Sequence, residues 1–148
     1  MAYLSIGSVS YEGSLFGWDL VPARLKSSDD SGESEEFIQC KVTYAFNLTP
    51  NSLKCVAISP SGNYLICAGM DEYIRVFDLK KKKSIGDMSG HTGCVTALSF
   101  VGNDYIMSAS EDCTIIIWSV KNWKKMHILG GHKNTINDFT VHPSGKLA

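Results

Sequence analysis

An all-β fold assembled from repeated units is what this sequence predicts, and three observations predict it. Residue types recur at a spacing of 41, as in Asp71 and Asp112, Phe77 and Trp118, and His91 and His132. Gly-His pairs (Gly90-His91 and Gly131-His132) open the units, and an aromatic residue (Phe77, Trp118) closes them. Short β-rich runs punctuated by turn residues recur throughout, and nothing longer than a turn has a helical period. A period of about 40–45 residues with these markers specifies a WD-repeat β-propeller, a binding platform in which each repeat makes a small sheet, or blade. Such rings close with about seven blades over roughly 300 residues, and the sequence has 148. The expectation is therefore a propeller present only in part, with about three blades' worth of strands and the ring not closed in this chain.

In chain order, strands are expected near 3–9, 14–20, 39–46, 53–59, 63–69, 72–78, 84–88, 94–100, 104–110, 114–120, 124–129 and 135–141. Residues 53–88 make one blade, 94–129 a second, and 135–141 opens a third. Residues 1–20 are different: Ser8, Glu12, Trp18 and Asp19 match the second and third strands of a repeat whose first strand is missing. In a complete ring such amino-terminal strands finish the last blade. The division that follows is 1–20 as closing strands, 27–37 as an acidic disordered insertion, and 38–148 as WD repeats. Strands 3–9 and 135–141 would each leave unpaired backbone groups and an open apolar face, so a fragment or one piece of a larger ring is expected.

The insertion is sized by the interval from Trp18 to Phe77, which is 59 and not 41, an excess of about 18 residues. Its core, residues 27–36, carries five acids and no base, the composition of a solvated loop. Its serines beside acids would suit an acid-directed kinase, and the acids could screen nearby lysines.

A net charge of −1 excludes a wholly basic nucleic-acid coat but leaves room for a basic patch. The five cysteines are odd in number, form no Cys-x-x-Cys, and lie in apolar strand-like runs, so they read as small buried hydrophobes in a reducing compartment. Met1-Ala2-Tyr3-Leu4-Ser5 lacks the basic start and apolar run of a secretory signal, and no apolar stretch approaches a membrane span. A cytosolic or nuclear protein without a membrane partner is expected.

His91, Ser108 and Asp112 contain the residue types of a hydrolase triad, but their spacing, with Trp118, is that of the internal hydrogen-bond network of a WD repeat. Asp112 is expected to accept from His91, which reaches Ser108 and the Trp118 indole. No nucleophile elbow or oxyanion donor accompanies them, so no catalytic residue is assigned. In the preceding repeat Cys67 stands for the Ser, Phe77 for the Trp, and Thr49-Pro50-Asn51-Ser52 for the Gly-His. That blade is expected to rest on apolar packing alone and to be softer. His91, His127, His132 and His142 lack ligand-spaced neighbours, so no metal, cofactor or small-molecule substrate is expected.

The candidate binding residues are basic. Lys80, Lys81, Lys82 and Lys83 follow the third strand of one blade; Lys121, Lys124 and Lys125, with Trp123 among them, follow the third strand of the next. Loops of that type leave one face of a propeller, so the repeat places both clusters side by side. The patch suits phosphates or an acidic protein surface.

Several stretches resemble the PAK-interacting WD-repeat proteins: Tyr11-Glu12-Gly13-Ser14-Leu15-Phe16-Gly17, Phe77-Asp78-Leu79-Lys80-Lys81-Lys82-Lys83, Ile117-Trp118-Ser119-Val120-Lys121-Asn122-Trp123, and His142-Pro143-Ser144-Gly145-Lys146-Leu147-Ala148. The resemblance implies a non-catalytic scaffold in assembly of the large ribosomal subunit, in the nucleolus or nucleus, with the cytoplasm as a further location. Its partners would be pre-ribosomal proteins and ribosomal RNA. It also implies an alternative, negative regulation of a p21-activated kinase. A generic WD-repeat adaptor in another complex is a third reading, because a fold does not fix a function. The later blades and the lysine-rich extension of that family are missing from this sequence.

Overall fold

The computed structural model describes residues 4–25 and 35–142. Among them run eleven strands: β1 (Leu4–Val9), β2 (Ser14–Leu25), β3 (Glu35–Asn47), β4 (Leu53–Ile58), β5 (Tyr64–Gly69), β6 (Ile74–Asp78), β7 (Lys83–Met88), β8 (Val95–Val101), β9 (Tyr105–Ser110), β10 (Ile115–Ser119) and β11 (Lys124–Leu129). They form three antiparallel sheets in sequence order: β1-β2-β3, the amino-terminal blade; β4-β5-β6-β7, the middle blade; and β8-β9-β10-β11, the distal blade. The WD-repeat propeller architecture is thus present in part, and the ring is not closed.

The 41-residue repeat is written into the backbone. The non-glycine residues with left-handed φ form two pairs one repeat apart, Glu72 and Cys113 (both 68°) and Lys82 (50°) with Trp123 (57°). Each of the three sheets also carries a bulge directly before its closing aromatic: between Gly17 and Trp18, Val76 and Phe77, and Ile117 and Trp118. A bulge sharpens local twist, so placing it identically gives every blade the same shape and lets blades stack.

Stacking is where the core lies. Ile66, Ile74, Val76 and Met88 of the middle blade pack with Val95, Phe100, Ile106, Ile116 and Trp118 of the distal blade. Leu15 of the amino-terminal blade packs with Leu53, Leu65, Cys67 and Phe77 of the middle one. Because both faces of an inner strand are covered, β5 and β9 read as nearly continuous runs of small and apolar residues without polar alternation. The outermost β11 is exposed along its whole length.

Backbone contacts between blades repeat as well. Leu53 N donates to Ser10 O (3.1 Å), and Ile136 N donates to Ser110 O (3.3 Å), two blade pairs further on. The Cys55 thiol reaches Val95 O (3.6 Å), and the Thr96 hydroxyl reaches Ile136 O (2.6 Å) in the corresponding place. Residue 136 therefore sits where the first strand of a following blade begins, its side chain buried against Ala97 and Ala109. The strand expected over 135–141 is nevertheless absent, because a strand exists by pairing and no neighbouring strand among the described residues runs beside this segment.

The amino-terminal boundaries also need correction. β2 does not stop at residue 20 but continues to Leu25, and β3 begins at Glu35, with rungs from Leu20↔Cys40 to Leu25↔Glu35. Residues 35–37 of the expected insertion therefore lie in a strand, and Glu35–Asn47 pairs with β2 in the amino-terminal blade. Residues 27–34 lie outside the described residues. Pro22 lies beyond Leu4↔Leu20, the last described rung between β1 and β2, so among the described residues no β1 partner calls for the N–H it lacks.

Candidate interaction face

The turns after β6 and β10 carry the lysines, and their construction follows from sequence. Asp78 ends β6 and accepts from Lys81 N (2.9 Å), closing the turn, while Asn122 accepts from Lys124 N (3.1 Å) in the other. Leu79 N bonds Asn63 O (2.9 Å) and Val120 N bonds Asp104 O (2.8 Å), so each turn is tied to the turn between the first two strands of its own blade. Lys80, Lys81, Lys82, Lys83, Lys121, Lys124 and Lys125 are all exposed. The two clusters flank one turn: Lys80 and Lys82 share a cleft with Gly62, and Trp123 packs on Tyr64. The structure thus brings the lysine clusters onto one face.

Trp123 does not stand free among them. Its ring meets Tyr64 edge-on at 5.1 Å and lines a small space with Val76, Ile85 and Met88 of the middle blade. It is a wedge in the seam between blades, which removes most of it from any partner. Lys81 is partly engaged too, its ammonium lying 3.8 Å from Asp78, although an exposed pair of this kind holds it only weakly.

A second seam, between the amino-terminal and middle blades, contains a cleft of about 230 Å³ lined by Asp19, Thr43, Tyr44, Leu79, Lys80 and Lys82. Tyr44 leads an aromatic stack through Phe46 (6.0 Å) to Phe77 (5.5 Å), and its ring covers the backbone of Gly17, where any side chain would collide with it. The Tyr44 hydroxyl is buried without a hydrogen-bond partner among the described residues. Burial, then Asp19 and Cys67, push its pKa up, so it stays a neutral donor. Sequence reasoning missed this cleft because Thr43 and Tyr44 lie in β3, which it treated apart from the blade carrying Asp19.

The distal blade holds the polar network. The Trp118 indole N–H donates to Ser108 Oγ (2.8 Å), and Ser108 Oγ and His91 Nε2 are 2.7 Å apart. His91 Nδ1 is 2.8 Å from Asp112 Oδ2. With the proton on Nδ1, donation runs one way from Trp118 through Ser108 and His91 to Asp112. Burial acts to raise the Asp112 carboxyl, but hydrogen bonds from Thr114, Thr92 and His91 outweigh it and hold it at about 2. Ser108 is fully buried and His91 nearly so, which makes the group a brace inside the blade. His132, one repeat on, is exposed.

The middle blade is not held by apolar packing alone. Asp71, at the position of Asp112, forms a close ion pair with Arg75, and both side chains are largely buried. Burial works against the Asp71 carboxylate, but the Arg75 guanidinium lowers its pKa overall. Sequence comparison with the distal repeat could not find this brace, because Arg75 occupies the position of Ile116 and lies outside the network pattern. Nor are all the cysteines buried: Cys40 is exposed and Cys55 and Cys113 are half-buried. Burial pushes the Cys55 and Cys67 thiols up to about 12, which makes them packing groups and not nucleophiles.

The family model "WD domain, G-beta repeat" matches residues 40–78 and 82–119. Protein MAK11 of Saccharomyces cerevisiae is 31% identical over 139 residues, covering 83% of this chain and 32% of the relative. The p21-activated protein kinase-interacting protein 1-like of Gallus gallus is 33% identical over 107 residues, covering 72% of this chain and 29% of that protein. This chain therefore spans about a third of the length of these relatives. Among solved structures, the WD40 repeats of RRP9 superpose with a TM-score of 0.73 at 19% identity over 90% of this chain and 37% of theirs, a likeness of fold.

Proposed function

Because this chain belongs to the WD-repeat family, and within it to the PAK-interacting WD-repeat proteins, we propose that it is a non-catalytic scaffold in assembly of the large ribosomal subunit, gripping RNA of a precursor particle. The observation that carries the reading is the pair of lysine turns on one face. Lys80–Lys83, Lys121, Lys124 and Lys125 are exposed; Lys80 and Lys82 lie beside Gly62, and the second cluster is carried by the turn whose Trp123 packs on Tyr64. Clustered ammonium groups displace condensed counterions from a nucleic-acid backbone and so bind it without reading sequence. Among the described residues, the Ser108, His91 and Asp112 constellation is spent on bracing the distal blade, which supports a binding role over a catalytic one. A nucleolar or nuclear location follows from the same reading.

The test is gradient sedimentation of the endogenous, tagged protein from lysate, with and without ribonuclease. The expected result is movement with large RNA-containing particles that collapses on ribonuclease treatment. A band that stays at the top of the gradient in both conditions would overturn it. The second reading, binding to a p21-activated kinase, rests on the name of the Gallus gallus relative. It predicts kinase association that survives ribonuclease.

A further inference from the structure

The two seams of this chain are built alike but filled differently. In the seam between the middle and distal blades, Trp123 is wedged beside Val76, Ile85 and Gly86, leaving a space of about 80 Å³. One repeat earlier the same position is Lys82, with the same left-handed backbone (φ 50° against 57°). The walls correspond as well. Gly17 pairs with Tyr44 as Val76 pairs with Gly86, each pair directly before its bulge, so Thr43 and Tyr44 occupy the places of Ile85 and Gly86. Around Lys82 this seam holds a cleft of about 230 Å³ that shares the Thr43, Tyr44 and Lys82 positions with the other seam and adds Asp19, Gly62, Leu79 and Lys80.

We propose that this open slot takes one unstacked base of single-stranded RNA, with the flanking phosphates held by Lys80 and Lys82. The proposal rests on the RNA-contact reading above and names its site. A slot that accommodates an indole in one seam suits a planar ring in the other, and its size is below that of an ordinary drug-sized pocket. Tyr44 is the aromatic residue that lines it, backed by Phe46 and Phe77 behind. Base edges carry donors and acceptors together, which matches the Asp19 carboxylate as acceptor and the Thr43 hydroxyl as donor. An acidic side chain fits less well, since its charge would approach Asp19. A base is neutral, and only its phosphates, out by the exposed lysines, are charged.

The experiment compares the affinity of the full chain for a labelled 12-nucleotide single-stranded RNA with that for an abasic strand of the same length and charge, by fluorescence anisotropy at one salt concentration. Stacking and edge contacts predict that the RNA binds about tenfold more tightly than the abasic strand. Lys82→Trp, which restores the plug of the other seam on a backbone already suited to it, is expected to bring that ratio to about one. Lys81→Gln, the loss of a charge outside the cleft, is expected to lower both affinities together and keep the ratio. Equal affinity for the two strands in the wild-type chain would overturn the base slot while leaving the lysine face intact. A ratio that survives in a folded Lys82→Trp variant would overturn it too, and binding to neither strand would overturn the slot and the RNA-contact reading together.

Discussion

At the scale of single residues, the distal blade depends on a hydrogen-bond chain whose members are useful only together. Ser108 joins Trp118 to His91, so Ser108→Ala strands a buried indole N–H and an imidazole nitrogen at once. The expected cost is about 1–3 kcal/mol, measured as a lowered midpoint in urea unfolding with an unchanged slope. Asp112 adds a pH dependence whose sign is fixed by its depressed pKa. Its carboxylate, held at about 2 in the folded chain and near the ordinary value when unfolded, stabilises the blade above the unfolded value. That stabilisation is lost as pH falls from about 4 toward 2. Thermal melts across this window should show Asp112→Asn losing less stability on acidification than the wild-type chain. This network was legible in the sequence because its four residue types are fixed by spacing. The Asp71–Arg75 pair was not, since an ion pair that substitutes for a missing network follows no repeat and is found only when the side chains meet.

At the scale of elements, the middle blade is braced by that pair, and breaking it should be costly. Arg75→Met leaves the Asp71 carboxylate largely buried without its cation, and removing one partner of such a pair typically costs about 3–5 kcal/mol. A fall in stability no larger than that of an exposed lysine substitution would show that apolar packing suffices. The link between the first two blades is equally specific. Gly13 has φ 74° and would place a side-chain carbon 1.8 Å from Thr49 O, while its own carbonyl accepts from Leu48 N at 3.0 Å. Gly13→Ala must push the connection after β3 away from the amino-terminal blade, and limited proteolysis near residues 48–52 should accelerate as a result. The strands of the middle and distal blades were legible because each has a counterpart 41 residues away. The extended β2–β3 hairpin has no counterpart. Its acids and Pro22 look like loop chemistry, and the six rungs beyond Asp19↔Lys41 depend on cross-strand register, which neither strand reveals alone.

At the scale of the whole molecule, an almost neutral chain (net charge −1) concentrates its lysines on one face, so its field is directional and its binding should depend on that face. The extended hairpin bears on this. Six rungs at about 3.3 Å each carry its last described rung, Leu25↔Glu35, roughly 20 Å along the ladder beyond Asp19. The lysines themselves are exposed and should engage polyanions at low salt. Affinity for single-stranded RNA should fall with salt, with a logarithmic slope of about 0.7 per phosphate neutralised. Lys80→Glu, Lys82→Glu, Lys121→Glu and Lys124→Glu combined should flatten that slope by at least two contacts' worth, about 1.4, and weaken binding well over tenfold at low salt. Lys133→Glu, exposed beyond the distal blade, should leave the slope within error. Equal slopes for the wild-type chain and the fourfold variant would mean that phosphates are met elsewhere on the molecule, and the face would then have to be read as a protein-binding surface.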